Sequence, residues 1–431
     1  MAIIKPFCAV RYNNKKFAVP PVSPPYDVIS ESQRQELASN EHNMINLDKP
    51  GSNSDASRYD KSRERFQNWK ENNVLTKDTQ PSFYAYAQKF RHPETGKIFE
   101  RTGFFALVKL EPFYEGAIYP HEKTLSAPKV DRLNLMKATN TNFSPVFALY
   151  DDQRNQVDAV LVRAKAREAL YQKYIDGDGT EHSLWRIDNA EDVEKLEGIL
   201  QDKKIIIADG HHRYETALHY RNLRREETQA GSAQPSEYGL MCLVNFNNAG
   251  LVILPTHRLL SLAIKSDDLL AKLRTFFSVE ESTPEAMEQT LLKKSFDQKV
   301  LGLYVGEQKK TYVLSLKDSR VLEGIVPPSS SSEWRTLEVN LLYFIILKHI
   351  INISDTDFET KISYSHAFAE TLSIVDNGDA TIAFLLPPCR KEGLEKVTAA
   401  HEVMPQKSTY FFPKIFSGFV IYEHEWAAAT K

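Results

Sequence analysis

The run IIIADGHHRYETAL, which begins at Ile205, constrains the fold of this chain more strongly than any other segment. Its four apolar residues predict a short buried strand, and apolar positions at Tyr214, Ala217 and Leu218 predict a helix that begins almost at once. Only an Asp-Gly pair separates the two, and Gly210 permits a close backbone approach there. The sequence therefore predicts a mixed α/β (α+β) protein in which a strand, a tight turn and a helix follow one another.

The turn between this strand and helix carries several polar side chains. Asp209, at the strand end, is suited to act as a base or to hold Mg²⁺. The first N–H groups of a helix are free to donate, so the start of this helix predicts a phosphate cradle. The alternative is structural, with a capping aspartate, an arginine in a salt bridge and packed histidines. The residues expected to hold phosphate are Gly210, His211, His212 and Arg213.

A second polar segment, YPHEKTLSAPKVDRL, begins at Tyr119. We interpret it as a loop, and loops this polar often face a ligand. Glu122 is suited to take a proton from an attacking hydroxyl, and Lys129 or Arg132 to neutralise a transferred phosphoryl group. The alternative is a solvated loop with internal ion pairs. Further substrate or phosphate contacts are expected from His121, Lys123 and Thr124.

A third motif, LPTHR, follows a predicted apolar strand and ends in His257 and Arg258. We expect both side chains to point into the same cleft as the other motifs, with a strand-end salt bridge as the alternative. Imidazole and carboxylate groups also bind transition metals, so a metal site stays open. Its members would be His121, Asp209, His211, His212 and His257. Weaker candidates, more simply explained as structural, are Asn142, Ser144, Lys407 and Ser408.

Length, charge and hydropathy limit the class of protein. A chain of 431 residues predicts several packed subdomains. Its 54 basic and 57 acidic residues nearly cancel, which argues against a nucleic-acid or lipid-surface binder. Three scattered cysteines and a start without a signal-like apolar run predict a cytoplasmic protein. The apolar stretch from Leu341 is interrupted by Lys348 and His349, so we interpret it as a buried helix rather than a membrane span.

Composition and pattern divide the chain into four parts. Charge spacing predicts a helix over residues 162–174, and the runs KVLGLYVG and KTYVLSLK predict a hairpin. The prolines before Tyr26 and Asp27 predict a stiff turn. GxSxG, Walker A and GxGxxG patterns are absent, which argues against triad hydrolases, P-loop proteins and common dinucleotide-binding folds. The parts are an N-terminal α/β subdomain (1–110), a motif-bearing catalytic core (111–262), an α+β insertion (263–328) and a C-terminal helix and strand segment (329–431).

Six motifs in combination resemble a known family. They are PYDVI, YPHEKT, PKVDRL, ADGHHRYETAL, LPTHR and MPQKSTYF. Together they resemble the bacterial and protist family catalogued as domain of unknown function 1015, and the resemblance extends over nearly the whole chain. The family name implies no activity.

The segment ADGHHR also resembles the DGHHR signature of free L-serine kinases in the ParB and sulfiredoxin superfamily. This second resemblance is local. It implies a ParB/sulfiredoxin-like nucleotide-binding core, with ATP or ADP as phosphate donor and Mg²⁺ as cofactor. It implies that Gly210 to Arg213 hold nucleotide phosphates, that Asp209 lies near the reacting hydroxyl, and that Glu122 is the upstream glutamate used as a base. The long separation of Glu122 from Asp209 then requires an insertion.

Three hypotheses follow from these observations. The first is a nucleotide-dependent kinase of a small hydroxylated metabolite, with free L-serine the preferred acceptor and O-phospho-L-serine the product. The second is a regulatory protein that binds a nucleotide or phosphometabolite without turnover. The third is a metal-dependent hydrolase. We expect no nucleic-acid or membrane partner, and the sequence leaves the oligomeric state open.

Overall fold

A computed structural model describes residues 1–52, 55–124, 127–228, 234–261, 265–294, 298–327, 330–354 and 357–425. In chain order, the strands in these ranges are β1 (Ile4–Lys5), β2 (Val10–Tyr12), β3 (Leu75–Lys77), β4 (Phe83–Arg91), β5 (Ile98–Lys109), β6 (Ile118–Tyr119), β7 (Thr141–Asn142), β8 (Val146–Tyr150), β9 (Tyr171–Ile175), β10 (Glu181–Ile187), β11 (Ile205–Asp209), β12 (Tyr238–Asn245), β13 (Val252–Leu254), β14 (His257–Leu260), β15 (Phe277–Ser282), β16 (Val300–Val305), β17 (Lys310–Leu316), β18 (Ile362–Ser365), β19 (Ile382–Leu385), β20 (Tyr410–Phe412) and β21 (Tyr422–Glu423).

The helices in the same ranges are α1 (Glu31–Ala38), α2 (Ile45–Asp48), α3 (Arg58–Glu71), α4 (Ala127–Thr139), α5 (Gln156–Lys165), α6 (Ala190–Gln201), α7 (His211–Thr228), α8 (Ser266–Phe276), α9 (Pro284–Lys293), α10 (Ser332–Arg335), α11 (Glu338–Asn340), α12 (Phe358–Lys361), α13 (Phe368–Asp376) and α14 (Lys391–Ala399). Short 3₁₀ turns cover Tyr26–Val28, Pro235–Glu237 and Ser319–Leu322, and a π-helix covers Leu341–Ile350.

The larger sheet contains nine of the described strands in the order β6-β11-β8-β12-β5-β4-β10-β9, with β1 beside β5. Most neighbours are antiparallel, but β6 and β11 run parallel, as do β8 and β12. Apolar side chains of β5 point alternately into two cores: Phe105 belongs to one, and Phe104 and Ala106 to the other. The sheet is therefore buried on both faces, which explains the nearly continuous apolar runs of its central strands.

Helices and the C-terminal segment cover the two faces of this sheet. Helices α5, α6 and α7 pack on one face, where Val160, Leu196 and Tyr214 are buried. Helix α3 and the segment around Phe419 and Ile421 pack on the other. Strands from before and after residue 110 share this sheet, so the predicted boundary there falls within one packed unit.

The second sheet is formed by six of the described strands in the order β15-β17-β16-β19-β14-β18. The predicted hairpin is confirmed as the antiparallel pair β16 and β17. Strand β14 precedes the predicted boundary at residue 262, whereas β18 and β19 follow the one at residue 328. Both boundaries are crossed because apolar strands distant in sequence pair with one another.

The predicted buried helix from Leu341 is confirmed as the π-helix. Leu341, Ile345 and Ile346 have no exposed surface. Among the helices of the described residues, none is long and apolar enough to cross a bilayer.

Two secondary-structure predictions are wrong. The helix expected over 162–174 ends at Lys165, and residues from Tyr171 form β9 instead. Pairing with β10 and burial of Tyr171 outweigh the helical charge spacing. The loop expected from Tyr119 continues into helix α4, which begins at Ala127. Proline in the first turn is compatible with a helix start, and Leu135 and Met136 of this helix are buried. The mixed α/β prediction itself is confirmed.

Candidate active site

The candidate site is centred on the turn between β11 and α7. A bulge in the pairing of β11 with β8 shifts the register between Ile207 and Asp209, so that Ala208 has no paired residue and Asp209 lies opposite Phe147. Gly210 has φ of +88°, and a Cβ there would lie 2.7 Å from Nε of Arg213. The conformation and the close approach both require glycine. The N–H of Tyr214 donates to the carbonyl of Gly210 at 3.0 Å, so the helix starts immediately.

Asp209 is an ionised carboxylate surrounded by cations. Nη2 of Arg213 lies 3.1 Å from its Oδ2, and Nζ of Lys414 lies 3.6 Å from its Oδ1. Burial raises the pKa of Asp209, but the charges of Lys414, Arg213 and Lys407 lower it more strongly, and the pKa is held well below its usual range. Its charge fixes these cations at the start of α7.

Arg213 is a buried clamp rather than an open ligand group. Its Nη1 donates to the carbonyl of Pro145 and its Nη2 to Asp209. Burial lowers the pKa of the guanidinium, but the carboxylates of Asp27 and Asp209 raise it by more than burial lowers it. The pKa of Arg213 therefore lies above the usual value. Only 7% of the residue is exposed. Arg213 thus has a structural role in closing the turn. That it also holds phosphates stays a prediction.

His211 and His121 are in direct contact across the site. The backbone N–H of His121 donates to Nε2 of His211 at 3.2 Å, and the ring centroids are 4.7 Å apart. Burial and the neighbouring His121 lower the pKa of His211 to about 3. His211 is therefore neutral and accepts at Nε2, which leaves the proton on Nδ1.

His121, Thr409 and Glu122 form a continuous chain of hydrogen bonds. Nδ1 of His121 donates to the carbonyl of Ile207 at 2.5 Å, and its Nε2 lies 2.7 Å from Oγ1 of Thr409. Oε1 of Glu122 accepts from the N–H and the hydroxyl of Thr409, both at 2.8 Å. The hydroxyl of Thr409 thus links the ring of His121 to the carboxylate of Glu122.

The pKa of Glu122 is consistent with this arrangement. Burial raises it, but the hydrogen bond and charge of His121, with the hydrogen bond from Thr409, lower it to about 2. Glu122 is thus a carboxylate at any ordinary pH.

A segment near the C-terminus completes the site by pairing with the segment that contains His121 and Glu122. Residues 404–409 run alongside residues 121–123: the N–H of Met404 donates to the carbonyl of His121, and the N–H of Lys123 to that of Met404. Nζ of Lys414 lies 4.2 Å from the ring centroid of Tyr410, and the Tyr410 ring also stacks on the ring of His366.

Two of the predicted site residues, Lys129 and Arg132, form ion pairs with carboxylates of the protein. Nζ of Lys129 lies 2.8 Å from Glu215. Arg132 donates to Asp48 and Asp131. Both cations are on helix α4 and neutralise protein carboxylates rather than facing the centre of the site.

The LPTHR motif differs from its prediction. Because His257 and Arg258 begin β14 rather than end a strand, their side chains point to opposite faces. Nδ1 of His257 accepts from the N–H of Leu386 at 3.2 Å, and burial lowers its pKa to about 3. Nη2 of Arg258 donates to the carbonyl of Lys407 at 2.9 Å. Only the arginine thus reaches the segment that closes the site.

The remaining predicted residues lie around the site. His212 is half-buried, and burial lowers its pKa while the nearby Asp27 opposes that shift. Lys123 is exposed and Thr124 is half-buried.

Sequence reasoning missed three groups at the site. Two of them, Thr409 and Lys414, lie far along the chain from β11, and the third, Asp27, lies in the segment that the prolines predict to be a turn. The MPQKSTYF and PYDVI motifs were the available signals for Thr409 and Asp27, but no local pattern pointed to Lys414.

The donor set does not fit a metal ion held by the protein. No group of three potential ligands occurs among the residues that the structure describes. Both ring nitrogens of His121 and Nε2 of His211 are used in protein hydrogen bonds. Asp209, the predicted Mg²⁺ ligand, already faces two cations, which would repel a metal ion. Any magnesium would have to be carried by nucleotide phosphates.

Comparisons with solved structures give several distant likenesses. A conserved hypothetical protein from Pyrococcus furiosus is 12% identical, with a TM-score of 0.33 and coverage of 70% of this chain and 92% of that one. A free serine kinase in complex with AMP is 13% identical, with a TM-score of 0.34 and coverage of 70% and 89%. SbnI from Staphylococcus aureus, truncated at its C-terminus, is 10% identical, with a TM-score of 0.36 and coverage of 73% and 85%.

Sequence comparison identifies the family. A search of curated proteins found no match. The sequence model described as "Protein of unknown function (DUF1015)" matches residues 4–340, well over half of the chain. This protein therefore belongs to the DUF1015 family.

Proposed function

We propose that this protein is a nucleotide-dependent phosphotransferase that acts on a small hydroxylated metabolite, with free L-serine as the preferred acceptor. The observation that carries the proposal is the meeting of the Asp209-Gly210 turn with the His121–Glu122 segment at the start of α7. A helix N-terminus, two lysines and two ionised carboxylates then share one partly buried site.

The nucleotide phosphates would bind at the start of α7. The first N–H groups of an α-helix lack partners within the helix, and its dipole favours an anion there. Lys407 and Lys414 add positive charge on the same side, since both lower the pKa of Asp209. The resemblance of ADGHHR to the free serine kinase signature supports the same assignment.

Glu122 would accept a hydrogen bond from the acceptor hydroxyl. Its Oε1 is held by Thr409, so the carboxylate has a fixed orientation. A carboxylate with a pKa of about 2 is a weak base. Phosphoryl transfer passes through a loose transition state, in which orientation of the nucleophile matters more than early proton removal. Glu122 would therefore act mainly by orienting the hydroxyl.

The charges around His212 complement a free amino acid. Asp27 and Lys407 both act on the pKa of this histidine, in opposite directions. A zwitterion such as L-serine carries an ammonium suited to Asp27 and a carboxylate suited to Lys407. This complementarity favours serine over an uncharged alcohol.

The test is a product assay by phosphorus NMR with Mg²⁺, ATP or ADP, and L-serine. Wild type is compared with Asp209→Asn and with a matched control, Asp268→Asn, which alters an exposed carboxylate on α8. Phosphoserine from wild type and the control, but not from Asp209→Asn, would support the proposal. Nucleotide binding without any phosphorylated product would instead indicate a regulatory binding protein.

A further inference from the structure

A cavity of about 370 Å³ lies beside the candidate active site, between the π-helix and β18. Aromatic and aliphatic side chains form most of its wall, and a volume of this order is typical of small-molecule pockets. Apolar surface left facing water is unfavourable, so such a wall is stabilised when an apolar group fills it. Among the lining residues are Trp334, Leu342, Phe344, Leu347, Phe358 and Ile362.

Three cations line the same cavity. The guanidinium of Arg258 is buried and donates to backbone carbonyls of Thr256 and Lys407. Lys123 and Lys407 are exposed, and within the described part of the chain neither ammonium has a hydrogen bond or an ion pair. No carboxylate is among the described residues that line the cavity. The cavity thus combines an apolar wall with positive charge and, among its described lining residues, no carboxylate.

The charged end of the cavity adjoins the candidate site. Lys123 follows Glu122, and its backbone pairs with Met404. Lys407 belongs to the segment that supplies Thr409, and its charge acts on Asp209. The π-helix supplies Leu342, Phe344 and Leu347 to the apolar wall. A ligand with one charged end and one apolar end therefore matches this distribution of groups.

We propose that this cavity is a binding site for an amphipathic anion, a medium-chain carboxylate whose apolar body contacts the π-helix and whose carboxylate lies at Lys407 and Lys123. A fully polar ligand such as serine would leave the apolar wall without contacts. A neutral apolar ligand would give Lys123 and Lys407 no ionic partner inside the cavity. The site adjoins the phosphate cradle and shares Lys407 with it, but binding there does not depend on the proposed phosphotransfer.

The proposal is tested by calorimetric titration with octanoate and with its neutral analogue octanamide, in the absence of nucleotide and serine. The variant is Lys407→Met, which keeps the length of the side chain and removes its charge. The matched control is Lys272→Met, an exposed lysine on α8 that is not among the residues lining the cavity.

We expect wild type to bind one octanoate, more tightly than octanamide. Lys407→Met should weaken octanoate binding by about fivefold, the effect of one partly exposed ion pair, and octanamide binding by less than about twofold. Lys272→Met should change neither. The inference is overturned if wild type does not bind octanoate, if octanamide binds equally well, or if Lys407→Met weakens both ligands alike. Because no nucleotide is present, these outcomes are independent of kinase activity.

Discussion

The backbone N–H of His121 donates a hydrogen bond to Nε2 of His211 at 3.2 Å, joining two segments 90 residues apart. The bond requires a neutral acceptor, and the lowered pKa of His211 supplies one. It brings the His121–Glu122 segment to the start of α7, and four predictions follow from the geometry around it.

Replacing His121 with phenylalanine should destabilise the fold. The ring is fully buried and bonded to the carbonyl of Ile207 and to Thr409. Their loss leaves buried polar groups unsatisfied, which costs about 2–4 kcal/mol of unfolding free energy. Urea denaturation measures the change. His219→Phe alters an exposed histidine on α7 and should change stability by less than about 0.5 kcal/mol. Equal effects would contradict the buried role of His121.

Gly210→Ala should be destabilising by about 1–3 kcal/mol, because φ is +88° and the added Cβ meets Arg213. It should also weaken nucleotide binding, since the start of α7 must shift. Thermal unfolding and nucleotide titration measure the two effects. Gly177→Ala is the matched control, because a Cβ there meets no atom within 4 Å. A Gly210→Ala protein as stable as the control would show that the turn tolerates a side chain.

Stability should fall on acidification below pH 6.5. The pKa of His211 is lowered from 6.5 to about 3, so the unfolded chain binds protons first, and the stabilisation present above pH 6.5 is lost as the pH falls towards 3. At pH 5.5 this histidine alone accounts for a loss of about 1.4 kcal/mol.

Denaturant titration at pH 7.5 and 5.5 measures this loss, and His211→Gln should show a smaller one. Other buried histidines contribute in the same direction, since burial also lowers the pKa of His257 and His424 to about 3. The slope in the variant should therefore be reduced rather than abolished. An unchanged slope would mean that His211 is not the neutral group inferred above.

Thr409→Val should impair phosphotransfer while Thr409→Ser preserves it. Valine removes the hydroxyl that lies between His121 and Glu122, so the carboxylate loses a bond that orients it. We expect a fall in kcat of about tenfold or more for valine, from misplacement of the acceptor, and about threefold or less for serine. Steady-state kinetics with L-serine measure both. Equal rates for the two variants would exclude an orienting role for the hydroxyl.

Much of the local structure was accessible from the sequence. The strand, turn and helix from Ile205 were predicted and observed, as were the hairpin of β16 and β17 and the buried helix from Leu341. In each case the apolar periodicity and the turn residues lie within a few neighbouring positions, so the sequence of the segment is sufficient to predict its structure. The helix over 162–174 failed because a partner strand, β10, overrides that local pattern.

The composition of the candidate site was decided by tertiary structure. The sequence by itself determined the Asp209-Gly210 turn, the polar residues that follow it and the family motifs. Only the fold selected Thr409 and Lys414 as neighbours of this turn and paired Lys129 and Arg132 with protein carboxylates instead. The physical reason is that hydrogen bonds and ion pairs act over a few ångströms in space. Which residues come that close depends on strand order and packing, which no local spacing encodes.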